Sequence, residues 1–464
     1  MAVMQIFFLA LLVGLLTLYF LKQLWSRRHY PYGPLPLPLI GDMWQIGIRL
    51  YQDTLIKQQP KQHGNKRLVT PFLNAVTKED DLVYSNGDIW KQQRLIGQMT
   101  MKKLGSEKKG IEHQIEEEAR QLVETFARVK SKPLDPLLPI TTSVCNVICA
   151  MAFGHRFSVK DEEFQKLIEA IDVALKCGGS FVYALYEMFP RLMKYLPGPH
   201  KKALSSREMV LSFAKRETEK HKKHRTQHGP LDFIDFYLSQ MKAKSKGDPN
   251  TMYNDQNLAQ CVLDLFISGT ESTATTLQWG LLLMATYPDI QGKVQNEMED
   301  VLGSTHSIHY QDWKKLSYTS AVIHEIQRAK YAFLFKIISC CAKDVNVFGF
   351  LIPKGTFLNP DLHSFLLDPK RWETPEKFNP NHFLNKDGHF VAMEELLLFS
   401  AGDHECLEEQ VTQIELFIFF TSLLRAFTFQ LPEREKEFKE EPAIGLTTYP
   451  HSYQLCAIPR FRAS

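Results

Sequence analysis

The chain has 464 residues, 44% of them hydrophobic and 23% charged, with a formal net charge of +3. That length buries a large core without disulfides, and the composition excludes a disordered or fibrous protein. So small a charge, with no basic stripe interleaved with aromatics, excludes nucleic acid as a partner.

In chain order, the first segment is MAVMQIFFLALLVGLLTLYFL, residues 1–21, which carries no charge and is long enough for a transmembrane helix. Lys22, Arg27 and Arg28 follow it, which favours a retained anchor over a cleaved signal peptide. By the positive-inside rule the body stays cytosolic. Residues 22–41 read as a basic, proline-rich hinge in which Pro31, Pro34, Pro36 and Pro38 forbid helix. Residues 42–464 form one large domain.

As far as about residue 330 the text is helical. EHQIEEEARQLVETFARV, DEEFQKLIEAIDVALK and SSREMVLSFAKRETEKHKKH all space apolar residues at three and four. The run from Asp255 to Pro288 is nearly apolar all round, so it is expected to cross the interior. His221, His224 and His228 stand among lysines and arginines and read as a solvated helix end rather than a metal site. After residue 345 short β-prone pieces such as NVFGFLIPKGTFL take over, and helix returns after Cys406. The fold class is therefore mainly α with a minor β region.

Eight cysteines lie without a CxxC pair, a usage that suits a reducing compartment and inert thiols. Cys145 and Cys149, one helical turn apart, are expected in the core. Cys406 differs, because it precedes the helix VTQIELFIFFTSLL. A thiolate there gains from the helix dipole. A lone cysteine cannot build a zinc site, so a metal partner would be an iron already held by a macrocycle. A buried structural thiol is the other reading.

Three further motifs carry chemistry. SGTEST sets Gly269, Glu271, Ser272 and Thr273 inside the long apolar run, where an unpaired carboxylate is costly. Gly269 is expected to loosen the helix there. The pair can deliver protons to a buried centre or mark a kink whose polar groups satisfy one another. HEIQR places Glu325 and Arg328 at i and i+3, a spacing that on a surface is worth little. WKQQR puts Trp90 and Arg94 four apart, for an anionic ligand or for packing.

With its anchor and hinge, WKQQR, SGTEST, HEIQR, FNPNHF and FSAGDHECLEE in this order, the chain resembles a microsomal cytochrome P450 of family two. LPGPH, DFIDFYL and ELFIFFTSLL resemble the J subfamily, associated with fatty-acid epoxidation. The resemblance implies the P450 fold and a haem b whose iron takes Cys406 as axial ligand. Trp90, Arg94, Phe399, Gly402 and His404 would line the haem. Glu271 and Ser272 would guide protons, and Glu325, Arg328 and His382 would form a supporting triad. It also implies an endoplasmic reticulum membrane location and electrons from NADPH-cytochrome P450 reductase, with cytochrome b5 as accessory donor. The substrate would be lipophilic, a polyunsaturated fatty acid such as arachidonic acid or a xenobiotic.

Several positions depart from the pattern. Asp403 and His404 replace a lysine and an arginine, Glu408 replaces a glycine, and Ser272 replaces a threonine. Leu334, Ile338 and Ser339 stand where the family has prolines and a cation, and the region near 42–89 is shortened. Residues 399–410 hold four acids, Asp403, Glu405, Glu408 and Glu409, and no lysine or arginine, which disfavours a thiolate and an acidic reductase's approach. Two readings follow: a haem-thiolate monooxygenase, or an inactive or weakly haem-binding membrane-anchored relative.

Overall fold

A computed structural model describes residues 14, 17–22, 25, 66–67, 71–77, 82–83, 85–106, 110–178, 180–223, 230–244, 253–303, 307–330, 339–341, 343–347, 350–358, 365–393, 398–399, 405–433, 442–444 and 447–460. Most of the expected anchor and nearly all of the hinge lie outside these residues. Among the described residues no helix is long and apolar enough to cross a membrane.

The helices are α1 (Pro71–Thr77), α2 (Gly87–Ser106), α3 (Ile111–Arg128), α4 (Leu137–Phe153), α5 (Glu162–Gly178), α6 (Phe181–Met188), α7 (Pro190–Met193), α8 (Pro199–Lys223), α9 (Phe233–Lys244), α10 (Asp255–Thr286), α11 (Pro288–Leu302), α12 (Ser317–Ala329) and α13 (Glu409–Ala426). The strands are β1 (Lys66–Arg67), β2 (Ser339–Cys340), β3 (Val345–Val347), β4 (Phe350–Ile352), β5 (Phe357–Leu358), β6 (Phe427–Gln430), β7 (Ala443–Ile444), β8 (Thr448–Tyr449) and β9 (Cys456–Pro459). The protein is mainly helical with small sheets, as the periodicities predict.

The chain forms two compact units, residues 1–68 with 336–367 and residues 69–335 with 368–464. In the first, β1, β2 and β5 make an antiparallel sheet with Cys340 opposite both Lys66 and Phe357. The hairpin β3–β4 closes over Cys341, Val345 and Ile352.

In the second unit α10 is the central element. The Asn254 side chain accepts the Asn257 amide at 2.8 Å and caps its first turn, relieving one orphan donor of the helix start. Pro288 then begins α11, because proline has no N–H to continue the ladder. Between these signals α10 buries residues on every side and packs against α4 and α13. Its apolar sequence fits that surrounding. Cys145 and Cys149 of α4 are free thiols within this core. The Gln291 and Gln295 side chains bond the backbone of β6 at Phe429 and Phe427, and so join α11 to β6.

Two sequence expectations change here. Gly269 does not loosen α10, which runs unbroken through it. A Cβ at Gly269 would meet Ile148 Cδ1 at 2.5 Å and Glu408 Oε1 at 3.0 Å, so the glycine serves a close approach of neighbouring side chains. Nor is His221 a solvated residue: its Nε2 lies 2.9 Å from Asp232 Oδ2 and its Nδ1 2.8 Å from the Glu217 carbonyl. His224 and His228 lie outside the described residues.

Candidate functional site

Cys406 sits just ahead of α13, its backbone N–H donating to the Phe399 carbonyl at 2.8 Å. That bond closes the loop on which the sequence argument turned; Gly402, Asp403 and His404 lie outside the described residues. Burial pushes the Cys406 thiol up to about 12, with the Glu408 carboxyl adding to it and the Glu408 backbone N–H only partly opposing. Sequence reasoning expected the acids to dominate, but desolvation is the larger cause because the sulfur is nearly enclosed.

Glu408 is buried, and its Oε2 lies 2.6 Å from the Ser268 hydroxyl on α10. Ser268 also donates to the Asp264 carbonyl at 2.7 Å. The Ser268 hydroxyl is within donating distance of both Glu408 Oε2 and the Asp264 carbonyl, and its single proton serves one of them at a time. Burial raises the Glu408 pKa to about 8, against the Ser268 bond. Its second oxygen, Oε1, has no hydrogen-bond partner among the described residues.

Glu415, two turns further along α13, is also fully buried and neither carboxyl oxygen is bonded among the described residues. Burial, then Glu408, pushes its pKa well above the usual carboxylate value, with the Thr273 hydroxyl of α10 opposing from outside good hydrogen-bond geometry. Sequence reasoning missed Ser268 and Glu415. A carboxylate seven residues from Glu408 inside ELFIFFTSLL was the available signal for Glu415, whereas Ser268 lies 140 residues from its partner.

On α2, Trp90 and Arg94 share one face. Arg94 is buried and its Nη2 reaches the exposed Glu405 at 3.9 Å, while Nε has no partner among the described residues. A cavity of about 220 Å³ opens beside Cys406, lined by residues that include Arg94, Gln98, Lys102, Glu405 and Leu407. Its lining comes from α2, the start of α3, the Cys406 loop and α13; among the described residues it includes none of α10.

Glu271 of α10 accepts the Thr447 hydroxyl at 2.7 Å and the Thr275 hydroxyl at 3.4 Å. Burial raises its pKa, with the Thr447 bond opposing. The Ser272 hydroxyl donates to the Ser268 carbonyl at 3.0 Å. Thus Glu271 and Ser272 are adjacent in sequence but bonded to different partners.

Glu325 and Arg328 are not the surface pair their spacing suggests. Both are buried, joined by Nε to Oε2 and Nη2 to Oε1 bonds of 2.7 Å each. Arg328 also donates to the Pro375 and Lys377 carbonyls at 2.8 and 3.0 Å. Glu325 accepts the Asn379 N–H at 2.8 Å and lies 3.2 Å from His382 Nδ1. The structure therefore brings the three expected triad residues together, with His382 carried by the 3-10 turn Pro380–Phe383.

Comparison with known proteins adds the ancestry. A family model described as Cytochrome P450 matches residues 31–457. Cytochrome P450 2J5 of Mus musculus is 37% identical over 97% of this chain and 96% of its own length. Cytochrome P450 2J2 of Homo sapiens is 37% identical over 94% of the chain and 86% of its own length. Cytochrome P450 2C23 of Rattus norvegicus is 34% identical over 97% and 98%.

Proposed function

The chain belongs to the cytochrome P450 family, whose cofactor is haem b, and from that premise we propose that it is a membrane-associated haem-thiolate monooxygenase acting on lipophilic substrates. Polyunsaturated fatty acids such as arachidonic acid, or xenobiotics, are the substrate class, with electrons from NADPH through a flavoprotein reductase and cytochrome b5 as accessory donor. The J-subfamily relatives support that class and an endoplasmic reticulum membrane location.

The donor set fits the cofactor. Cys406 offers a sulfur ahead of a helix, and the buried Arg94 Nε, without a partner among the described residues, suits a haem carboxylate. Arg94 and Cys406 are neighbours that border one cavity; their proximity, not the cavity, which no described α10 residue lines, is the observation that carries the reading. Trp90 and Phe399 would flank the group, with Gly402 and His404 completing the loop. Bound there, the haem supplies activation of O2 and insertion of one oxygen atom into the substrate. The chain's own residues do the rest. Burial raises the Glu271 pKa, which favours its proton-carrying form, and Ser272 is the hydroxyl next to it. For Ser272 to pass a proton inward its hydroxyl must leave the Ser268 carbonyl. Glu325, Arg328 and His382 would hold the core under the site.

A second reading, a relative that binds haem weakly, is favoured by one observation: the buried Glu408 side chain, two residues after Cys406, meets Ser268 of α10 at 2.6 Å. The absorption spectrum of the purified, reduced, CO-treated protein separates the two. A thiolate-type Soret band is expected, and a chain that acquires no haem when expressed with haem precursor sinks the monooxygenase reading. Epoxide formation from arachidonic acid with reductase and NADPH then tests the substrate class.

A further inference from the structure

We infer that Glu408 is a strut that ties α13 to α10 across the place where this chain would carry its haem, so that the protein's own bond competes with the cofactor. The inference rests on the function proposed above, in which Cys406 holds the iron and Ser272 faces it from α10. Ser268 lies one helical turn before Ser272 on the same face of α10, and Glu408 lies two residues after Cys406. These two flanking side chains meet at 2.6 Å. A flat macrocycle makes contacts of roughly 3.5–4.0 Å on each face and so needs about 7–8 Å between the atoms on its two sides. The Ser268–Glu408 bond leaves less than half of that.

Two other observations agree. Glu408 Oε1 stands where a Cβ of Gly269 would meet it at 3.0 Å, so the glutamate fills the close-approach surface of α10 as well as bonding its neighbour. The cavity of about 220 Å³ beside Cys406 opens toward α2, and among the described residues no α10 side chain lines it. The bulk and the bond of Glu408, rather than its charge, are what the cofactor must displace.

The full-length chain in detergent is titrated with hemin, followed by the Soret band, as wild type and as Glu408→Gly, Glu408→Gln and Ser268→Ala. Glycine removes the strut and should bind hemin about tenfold tighter. Alanine removes the partner and should bind several-fold tighter. Glutamine keeps both bulk and bond and should match wild type. Equal affinity of wild type and Glu408→Gly overturns the inference, as does a glutamine variant as tight as glycine. Hydrogen exchange of the apoprotein gives a readout independent of haem: the amides of residues 408–413 should exchange at least tenfold faster in the Gly and Ala variants, and unchanged protection shows there is no strut. If no variant binds hemin, the proposed function fails, while the exchange result still decides the strut.

Discussion

Two regions of this protein bury glutamates completely and treat them in opposite ways. At Glu325 each carboxyl oxygen is engaged, by Arg328, by the Asn379 N–H and by His382. At the start of α13, Glu408 has one bonded oxygen, and Glu415 has none among the described residues. Both glutamates are 0% exposed at 325 and 415, so exposure does not separate them; partners do. A buried charge with its counter-charge and hydrogen bonds can hold a fold, while a buried acid without them stays neutral and costs its desolvation. The first region is a closed network of charges and hydrogen bonds, and the second places acids without a counter-charge on the helix that follows Cys406, the residue proposed to hold the iron.

That contrast can be broken in order of expected size. Arg328→Ala leaves Glu325 buried without its cation and should cost about 3–5 kcal/mol, read by chemical denaturation; a loss below 1 kcal/mol would mean that the network is incidental. Glu415→Met has the opposite sign: replacing a buried acid that has no counter-charge by a side chain of similar shape should stabilise by about 1–3 kcal/mol. A destabilised variant would show that Glu415 has a partner after all. The His221–Asp232 pair gives a third, smaller case. Burial alone would lower the His221 pKa, but the Asp232 bond outweighs it and holds the value at about 9. Because the folded pKa is raised, this contribution is complete below the unfolded value of about 6.5 and is lost as pH rises through about 9. His221→Gln should cost about 1–2 kcal/mol at pH 6, after allowance for partial solvent screening, and nothing at pH 10. A cost independent of pH refutes the ion pair.

Much of this was legible in the sequence because it is local. The three- and four-residue spacing that defines α3, α5 and α8, and the apolar run of α10 ending at Pro288, are short-range patterns. Cys406 stood out for the same reason, one sulfur ahead of an apolar helix. What the sequence could not show is which polar residues meet across the core. By spacing alone Glu325 and Arg328 read as a minor pair, because the atoms that complete them lie 47 to 57 residues away, at Pro375 and His382; only the family resemblance joined His382 to them. Glu408 read as an acid in place of a glycine, and its partner Ser268 sits on another helix. Gly269 carried the signal of a helix break, yet the packing of Ile148 and Glu408 against it required a missing Cβ instead. The comparison with Cytochrome P450 2J5 runs over 486 aligned positions, more than the 464 residues here, so that relative has segments this chain lacks.

The clamp at Arg328 has a consequence for chain length. By gripping the Pro375 and Lys377 carbonyls it closes a loop of 47 residues at its shorter contact, and residues 336–367, part of the first compact unit, lie wholly within that loop. Closure entropy grows only with the logarithm of length, about 0.6 kcal/mol per doubling. Changes of length within that loop therefore cost little closure entropy, and the bonds of Glu325 to Asn379 and His382 lie beyond its far end.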